Sequence, residues 1–268
     1  MPHMLILGQG YSASRIAGRL RAGGWDVTGV RRAADGHSLA FDDEGGVRAA
    51  IAGASHILSS VPPQGEEDPV LVRYGAAIAA APALWTGYLS SSGVYGDAGG
   101  AWVDEGSAVG QGRRTARVAA DLGWGALRPD VRRFRLPGIY GPGRSPLDRV
   151  REGKAHRIDL PGQVFSRIHV DDIVSGVIAS IHAGPPGVYN LADDLPCAQN
   201  RVTEAACDLL GVARPPLRTL DQAGLSPAAR AFYAENRRVA NGRAKRLLGW
   251  APLYPTYVQG LAACLETA

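Results

Sequence analysis

The stretch Met4-Leu5-Ile6-Leu7-Gly8-Gln9-Gly10-Tyr11-Ser12-Ala13 sets four apolar residues directly against the pattern GxGxxA. After it, Ile16, Ala17 and Leu20 recur at helical spacing until Gly23-Gly24 ends the run. Strand, glycine turn and helix in that order are what a dinucleotide site requires. Gly8 allows the tight turn, Gly10 removes a side chain so that the backbone can approach a diphosphate, and Ala13 keeps the helix close to the strand. The free N–H groups of the first helical turn, at Tyr11 and Ser12, then face the phosphates. A plain tight turn is the competing reading, but strand and helix both fall where the motif needs them.

Working outward, residues 26–30, 38–41, 55–60, 84–90 and 131–136 read as five further strands, with helices expected over 69–81 and 113–122. This alternation implies parallel strands joined by right-handed crossovers, an α/β Rossmann-type doubly wound sheet. Past residue 137 the pattern loosens into proline- and glycine-rich loops with helices near 171–182 and 203–210. The expected organisation is a dinucleotide-binding core over 1–137, completed by 164–192, and a small substrate-side lobe from 138–163 and 193–268. Asp171-Asp172 at the start of a helix reads as a cap, and His169 beside them as a hydrogen-bonded core histidine.

The 268 residues are 46% hydrophobic and 20% charged, with a mean hydropathy of -0.07, which excludes a disordered chain or a coiled coil. No apolar run approaches the roughly 20 residues of a membrane span, and Met1-Pro2-His3-Met4 lacks a leader's basic flank and apolar run. No membrane partner and a cytoplasmic location are therefore expected. Cys197, Cys207 and Cys264 have no metal spacing, so neither a metal site nor a disulfide framework is expected. The net charge of +4 is spread along the chain, which argues against a nucleic-acid partner. Of the 29 basic residues only Lys154 and Lys245 are lysines.

An NAD site places an acidic residue about 20 positions past the first glycine, where it binds the ribose 2′-hydroxyl. Here the second strand ends in Arg31-Arg32, 23 positions past Gly8. Two guanidiniums suit a 2′-phosphate, so NADP(H) is expected over NAD(H). A pair of solvated arginines is the competing reading. Ser60-Val61-Pro62 follows the fourth strand at its carboxyl end and is expected to line the cofactor channel.

Five segments then resemble the extended branch of the short-chain dehydrogenase/reductase superfamily, the epimerase/dehydratase-like members. They are the N-terminal GxGYxA, Tyr88-Leu89-Ser90-Ser91-Ser92-Gly93-Val94-Tyr95-Gly96, Arg135-Leu136-Pro137-Gly138-Ile139-Tyr140-Gly141-Pro142-Gly143, Ile168-His169-Val170-Asp171-Asp172 and Arg243-Ala244-Lys245-Arg246-Leu247-Leu248-Gly249-Trp250. The resemblance places Ser91 on the family's catalytic serine or threonine, Ser90 and Pro137 beside the cofactor, and a Tyr-x-x-x-Lys dyad about 25 residues past Ser91. That place holds Arg113-Arg114-Thr115-Ala116-Arg117, and no Tyr-x-x-x-Lys exists anywhere in the chain. The chain thus resembles atypical members that lack the dyad, with Arg117 in the lysine's position and able to bind ribose. A guanidinium cannot exchange protons near neutrality, so Arg113 cannot replace the tyrosine. Another residue must then carry the proton, and Tyr95 and Tyr140 are the candidate catalytic phenols, with His169 an outside alternative.

The resemblance implies an NADP(H)-dependent oxidoreductase or epimerase-like enzyme acting on a small or sugar-like carbonyl or alcohol, with Ser91 polarising the oxygen. Two alternatives stand beside it: a non-catalytic NADP(H)-binding regulatory module, and an imine reductase-like activity, since a protonated imine needs less acid assistance. A homodimer through the helices after Pro69 and around 113–122 is the expected assembly.

Overall fold

The first β-strand, β1 (His3–Leu7), is apolar without interruption because it is covered on both faces, as parallel strands are. In the computed structural model, which describes residues 1–266, Met4 and Ile6 pack on one face while Leu5 and Leu7 pack on the other. The elements α1 (Tyr11–Ala22), β2 (Asp26–Arg31), β3 (Ser38–Ala40), α2 (Glu44–Gly53), β4 (His56–Ser59), α3 (Pro69–Ala80) and β5 (Trp85–Ser91) follow. Next come the short β6 (Trp102–Val103), α4 (Thr115–Leu127), β7 (Val131–Leu136), β8 (Gly138–Tyr140), α5 (Pro146–Arg151), β9 (Arg157–Ile158), β10 (Arg167–His169), α6 (Val170–His182) and β11 (Gly187–Asn190). The C-terminal part holds α7 (Gln199–Leu210), β12 (Leu217–Arg218), α8 (Pro227–Phe232), β13 (Arg238–Val239), α9 (Gly242–Leu248) and α10 (Tyr257–Glu266).

Seven strands form the central sheet in the order β11-β7-β5-β4-β1-β2-β3, every adjacent pair parallel. The order reverses between β1 and β4, the switch point where ligands bind in open α/β sheets. Five strands beyond β1 fall where the sequence puts them, and β11 extends the sheet from a segment with no clear alternation. Across β5, β7 and β11 the rings of Trp85, Phe134 and Tyr189 stack in a row, with centroids 6.3 Å apart at each step. On the opposite face Tyr88 stacks on Trp124 of α4 at 5.2 Å.

Two local expectations are corrected. Helix α4 begins at Thr115, two residues later than the spacing suggests, and runs through Gly123 and Gly125 to Leu127. Those glycines are contacts and not stops: a Cβ on Gly123 would lie 2.9 Å from Leu71 Cδ1, and one on Gly125 2.7 Å from Arg133 Cζ. Helix α6 is capped by His169, whose Nδ1 accepts from the Asp171 N–H at 3.2 Å. Asp172 instead receives the N–H groups of Leu253 and Tyr254, tying the C-terminal segment to the core.

Candidate active site

A cavity of about 920 Å³ runs along the carboxyl edge of the sheet, across the switch point. Its floor is the β1–α1 turn. Gly8 has φ +85°, and a Cβ there would meet Val61 Cγ2 at 2.6 Å, so only glycine fits. At Gly10 a Cβ would meet nothing closer than Gly8 O at 4.0 Å, which leaves the backbone open to the cavity. Gly10 caps α1 without a side-chain hydrogen bond, and the first turn carries no acidic residue. The helix therefore presents uncapped N–H groups and its positive end to the cavity, a fit for a diphosphate.

Tyr11 and Ser12 line this floor, while Ala13 is fully buried beneath it in the α1–sheet packing. Arg31 and Arg32 line the cavity from the end of β2, and Ser60, Val61 and Pro62 line it after β4. Arg31 lies 3.4 Å from the exposed Asp35 carboxylate. Arg32 has no ion pair among the described residues. Ser90, Ser91, Arg117 and Pro137 line the inner part, so one cavity gathers residues from six segments of the chain.

At the inner end Ser91 Oγ accepts the Gly93 N–H at 3.1 Å, which leaves its own proton free to be donated. The segment carrying Arg113 and Arg114 is held over this turn by a close backbone approach. A Cβ on Gly96, at φ +69°, would lie 2.6 Å from Gly112 N, and Arg114 Cδ lies where a Cβ on Gly93 would sit. Arg113 turns toward Glu235, with Nε 3.5 Å from Oε1, and Arg237 meets the other Glu235 oxygen at 2.9 Å. Because α4 starts only at Thr115, Arg113 and Arg117 do not share a helical face. Arg117 lies beside the buried Tyr88 phenol, whose pKa burial pushes up.

The two tyrosines expected at the site are placed elsewhere. The Tyr95 hydroxyl donates to Asn190 Oδ1 at 2.7 Å, and Arg135 sits over its ring. Tyr140 is buried among α7 and α10, its ring edge-on to His169, and burial raises its pKa strongly. Neither lines the cavity, because the turn after β5 packs Tyr95 against Val94, Val103 and Val239, and β8 packs Tyr140 against α7 and α10. Tyr11 is the cavity's tyrosine; its hydroxyl donates to Pro142 O at 3.0 Å, and burial raises its pKa.

Sequence reasoning missed Phe165, Phe232 and Glu235 in the cavity wall. Phe232 ends a six-residue helix and Glu235 follows in a loop, so neither belongs to a periodic pattern or motif.

Sheet order, glycine turn and landmark segments together resemble those of the extended short-chain dehydrogenase/reductases, and the sequence holds no Tyr-x-x-x-Lys dyad. No protein-family model matches the chain. It belongs to one family with a functionally unknown conserved protein from Silicibacter pomeroyi DSS, whose solved structure is 40% identical, with a TM-score of 0.89 over 100% of this chain and 99% of that one. The human epimerase family protein SDR39U1, solved with NADPH, shares the fold at 17% identity and a TM-score of 0.80, over 99% of this chain and 100% of that one. A curated Streptomyces protein, 3-diazoavenalumate denitrifying reductase, is 31% identical over 139 residues, 48% of this chain and 45% of that protein. The match thus covers under half of that relative's length.

Proposed function

We propose that the chain is an NADP(H)-dependent reductase of the atypical, epimerase-like kind, acting on a small molecule with a carbonyl-type or imine-type acceptor. The observation that carries the reading is the continuous cavity from the Arg31-Arg32 end to Ser91, with the uncapped α1 terminus between them. The bound nicotinamide would supply or take hydride. Gly8, Gly10 and the first turn of α1 would hold the diphosphate, Arg31 and Arg32 the 2′-phosphate, and Arg117 the adjoining ribose. Ser91 Oγ would donate a hydrogen bond to the acceptor atom and so stabilise charge that develops there.

The likeness to a solved NADPH complex and to a curated reductase supports the reductive direction. No phenol or imidazole with a free proton lines the inner end among the described residues. An acceptor that is already cationic, as an iminium is, needs none, which supports the imine reductase-like reading over ketone reduction. The same absence supports the second reading, a non-catalytic NADP(H)-binding module. The segments 138–163 and 193–268 would form the substrate-side lobe. Exposed Val72 on α3 and Leu122 on α4 support a homodimer through those helices. No helix among the described residues is long and apolar enough to cross a membrane.

Fluorescence titration with NADPH and NADH, on the wild type and on an Arg31→Ala, Arg32→Ala variant, tests the reading. NADPH affinity should fall by roughly 10- to 100-fold in the variant, as expected for charge-assisted phosphate contacts, with NADH affinity unchanged. Equal binding of the two cofactors by the wild type would overturn the NADP(H) preference. NADPH binding without turnover of carbonyls or cyclic imines would select the non-catalytic module.

A further inference from the structure

We propose that the inner end of the cavity selects a small organic acid, holding its carboxylate on Arg113 and Arg114 and its apolar, ring-bearing body against Phe165 and Phe232. This rests on the cofactor reading, since it assigns the space beside the cofactor's nicotinamide end.

The first argument is charge. Seven arginines line the cavity against one carboxylate, Glu235. Asp35 at the rim offsets part of Arg31. NADPH would bring about four negative charges, two on the diphosphate and up to two on the 2′-phosphate. About one to two positive charges remain, the complement of a single carboxylate. They remain at the inner end, where Arg113 and Arg237 share Glu235 and Arg114 has no carboxylate partner among the described residues. Arg114 Nε is buried without a hydrogen bond, and Glu235 Oε1 carries none either, although Glu235 is 8% exposed. Burial and the neighbouring guanidiniums of Arg113, Arg237 and Arg117 push the Arg114 pKa down, with Glu235 opposing. Such a cluster is relieved by an anion that accepts from the fork of a guanidinium.

The second argument is the aromatic wall. Phe165 stacks on Phe232 at 5.1 Å, Tyr233 stands edge-on to Phe165, and Val164 and Val239 flank them. Phe232 is 46% exposed while lining the cavity, an apolar surface that a ring would cover. A nucleotide diphosphate would set a polar base and two phosphates against this wall, so the geometry favours the simple acid.

The test is calorimetric titration of the NADPH-loaded protein with cinnamate and with its neutral isostere cinnamamide, UDP-glucose being run alongside. Cinnamate should bind at least about tenfold more tightly than the amide, and less tightly as salt rises. Arg113→Gln and Arg114→Gln should each erase most of that preference while NADPH affinity stays within about threefold, and Arg114→Lys should restore part of it. Equal binding of acid and amide overturns the proposal and needs no variant that must fold. So does a preference that survives both glutamine variants, absence of cinnamate binding at millimolar concentration, or binding of UDP-glucose alone. Should the wild type bind no NADPH, the cofactor reading fails; the same acid and amide pair, run on the cofactor-free protein, then decides the carboxylate site separately.

Discussion

Two groups of arginines sit on either side of α4, and they are treated in opposite ways. Under the helix, Arg133 and Arg135 of β7 share Asp121, with Nη1 and Nη2 respectively at 3.0 and 2.8 Å from Oδ1, and Ser90 Oγ donates to Oδ2 of the same carboxylate at 2.6 Å. At its start, Arg113, Arg114 and Arg117 face a cavity with Glu235 as its carboxylate. In the first group both guanidiniums reach the one wholly buried carboxylate, with one positive charge in excess, and the group belongs to the fold. In the second, Arg114 reaches no carboxylate among the described residues, which a structure built for stability alone would avoid. Arginine count is the same kind of information in both places; pairing is what separates scaffold from site.

The largest effect should follow from breaking the first group. Asp121→Asn leaves two guanidiniums without their counter-charge, Arg135 buried and Arg133 partly so, and should cost about 3–5 kcal/mol. In a chain of this size that is a fall in Tm of about 10 °C. A loss under about 1 kcal/mol in thermal or urea unfolding would erase the distinction between the groups.

A buried acid that lacks such pairing sharpens the comparison. Burial pushes the Asp193 carboxyl up to about 7, only partly offset by the positive charge of Arg167. The Arg167 guanidinium is committed instead to Phe165 O, Cys197 O and Gln199 Oε1, and Asp193 Oδ2 is left without a hydrogen bond. Burial pushes Asp172 up as well, to about 6, although it accepts the N–H groups of Leu253 and Tyr254. An unfolded carboxylate titrates near 4, so between about pH 4 and 7 the folded chain holds protons that the unfolded chain has released. Stability from these groups is therefore present below pH 4 and declines as pH rises through that window. Asp193→Asn should flatten the decline and stabilise the protein at pH 8 by a few kcal/mol, since each tenfold change in proton affinity on folding is worth about 1.4 kcal/mol. Urea unfolding at pH 5 and pH 8 checks it, and an unchanged slope between the two would refute it.

The smallest effect is expected at the second group. Arg114→Met removes a charge that no carboxylate holds, so stability without ligand should stay within about 0.5 kcal/mol, or rise through relief of like charge. A loss above about 1.5 kcal/mol would make Arg114 part of the scaffold.

The sheet was legible because its signals are local. Four apolar residues against GxGxxA specify a strand, a turn at Gly8 that only glycine fits, and a helix with a bare amino terminus, whatever surrounds them. The same is true of Arg31-Arg32, placed at the strand end by spacing alone. Glycine in α4 misled for the opposite reason: its role depends on Leu71 and Arg133, which lie far away in the chain. Asp172 reads as a helix cap from its neighbours, yet its partners are the N–H groups of Leu253 and Tyr254.

By itself, then, the sequence determined the parallel sheet, the glycine turn that floors the cavity and the lack of a tyrosine–lysine dyad, because each is written in adjacent residues or in the absence of a residue type. Tertiary structure alone decided that Tyr95 and Tyr140 turn away from the cavity, that Phe232 and Glu235 turn into it, and that Arg114 stands over Gly93 beside Ser91. Side-chain direction at a site depends on which distant segment packs against it, and the close approach of Gly96 to Gly112 that sets Arg114 in place has no local signature.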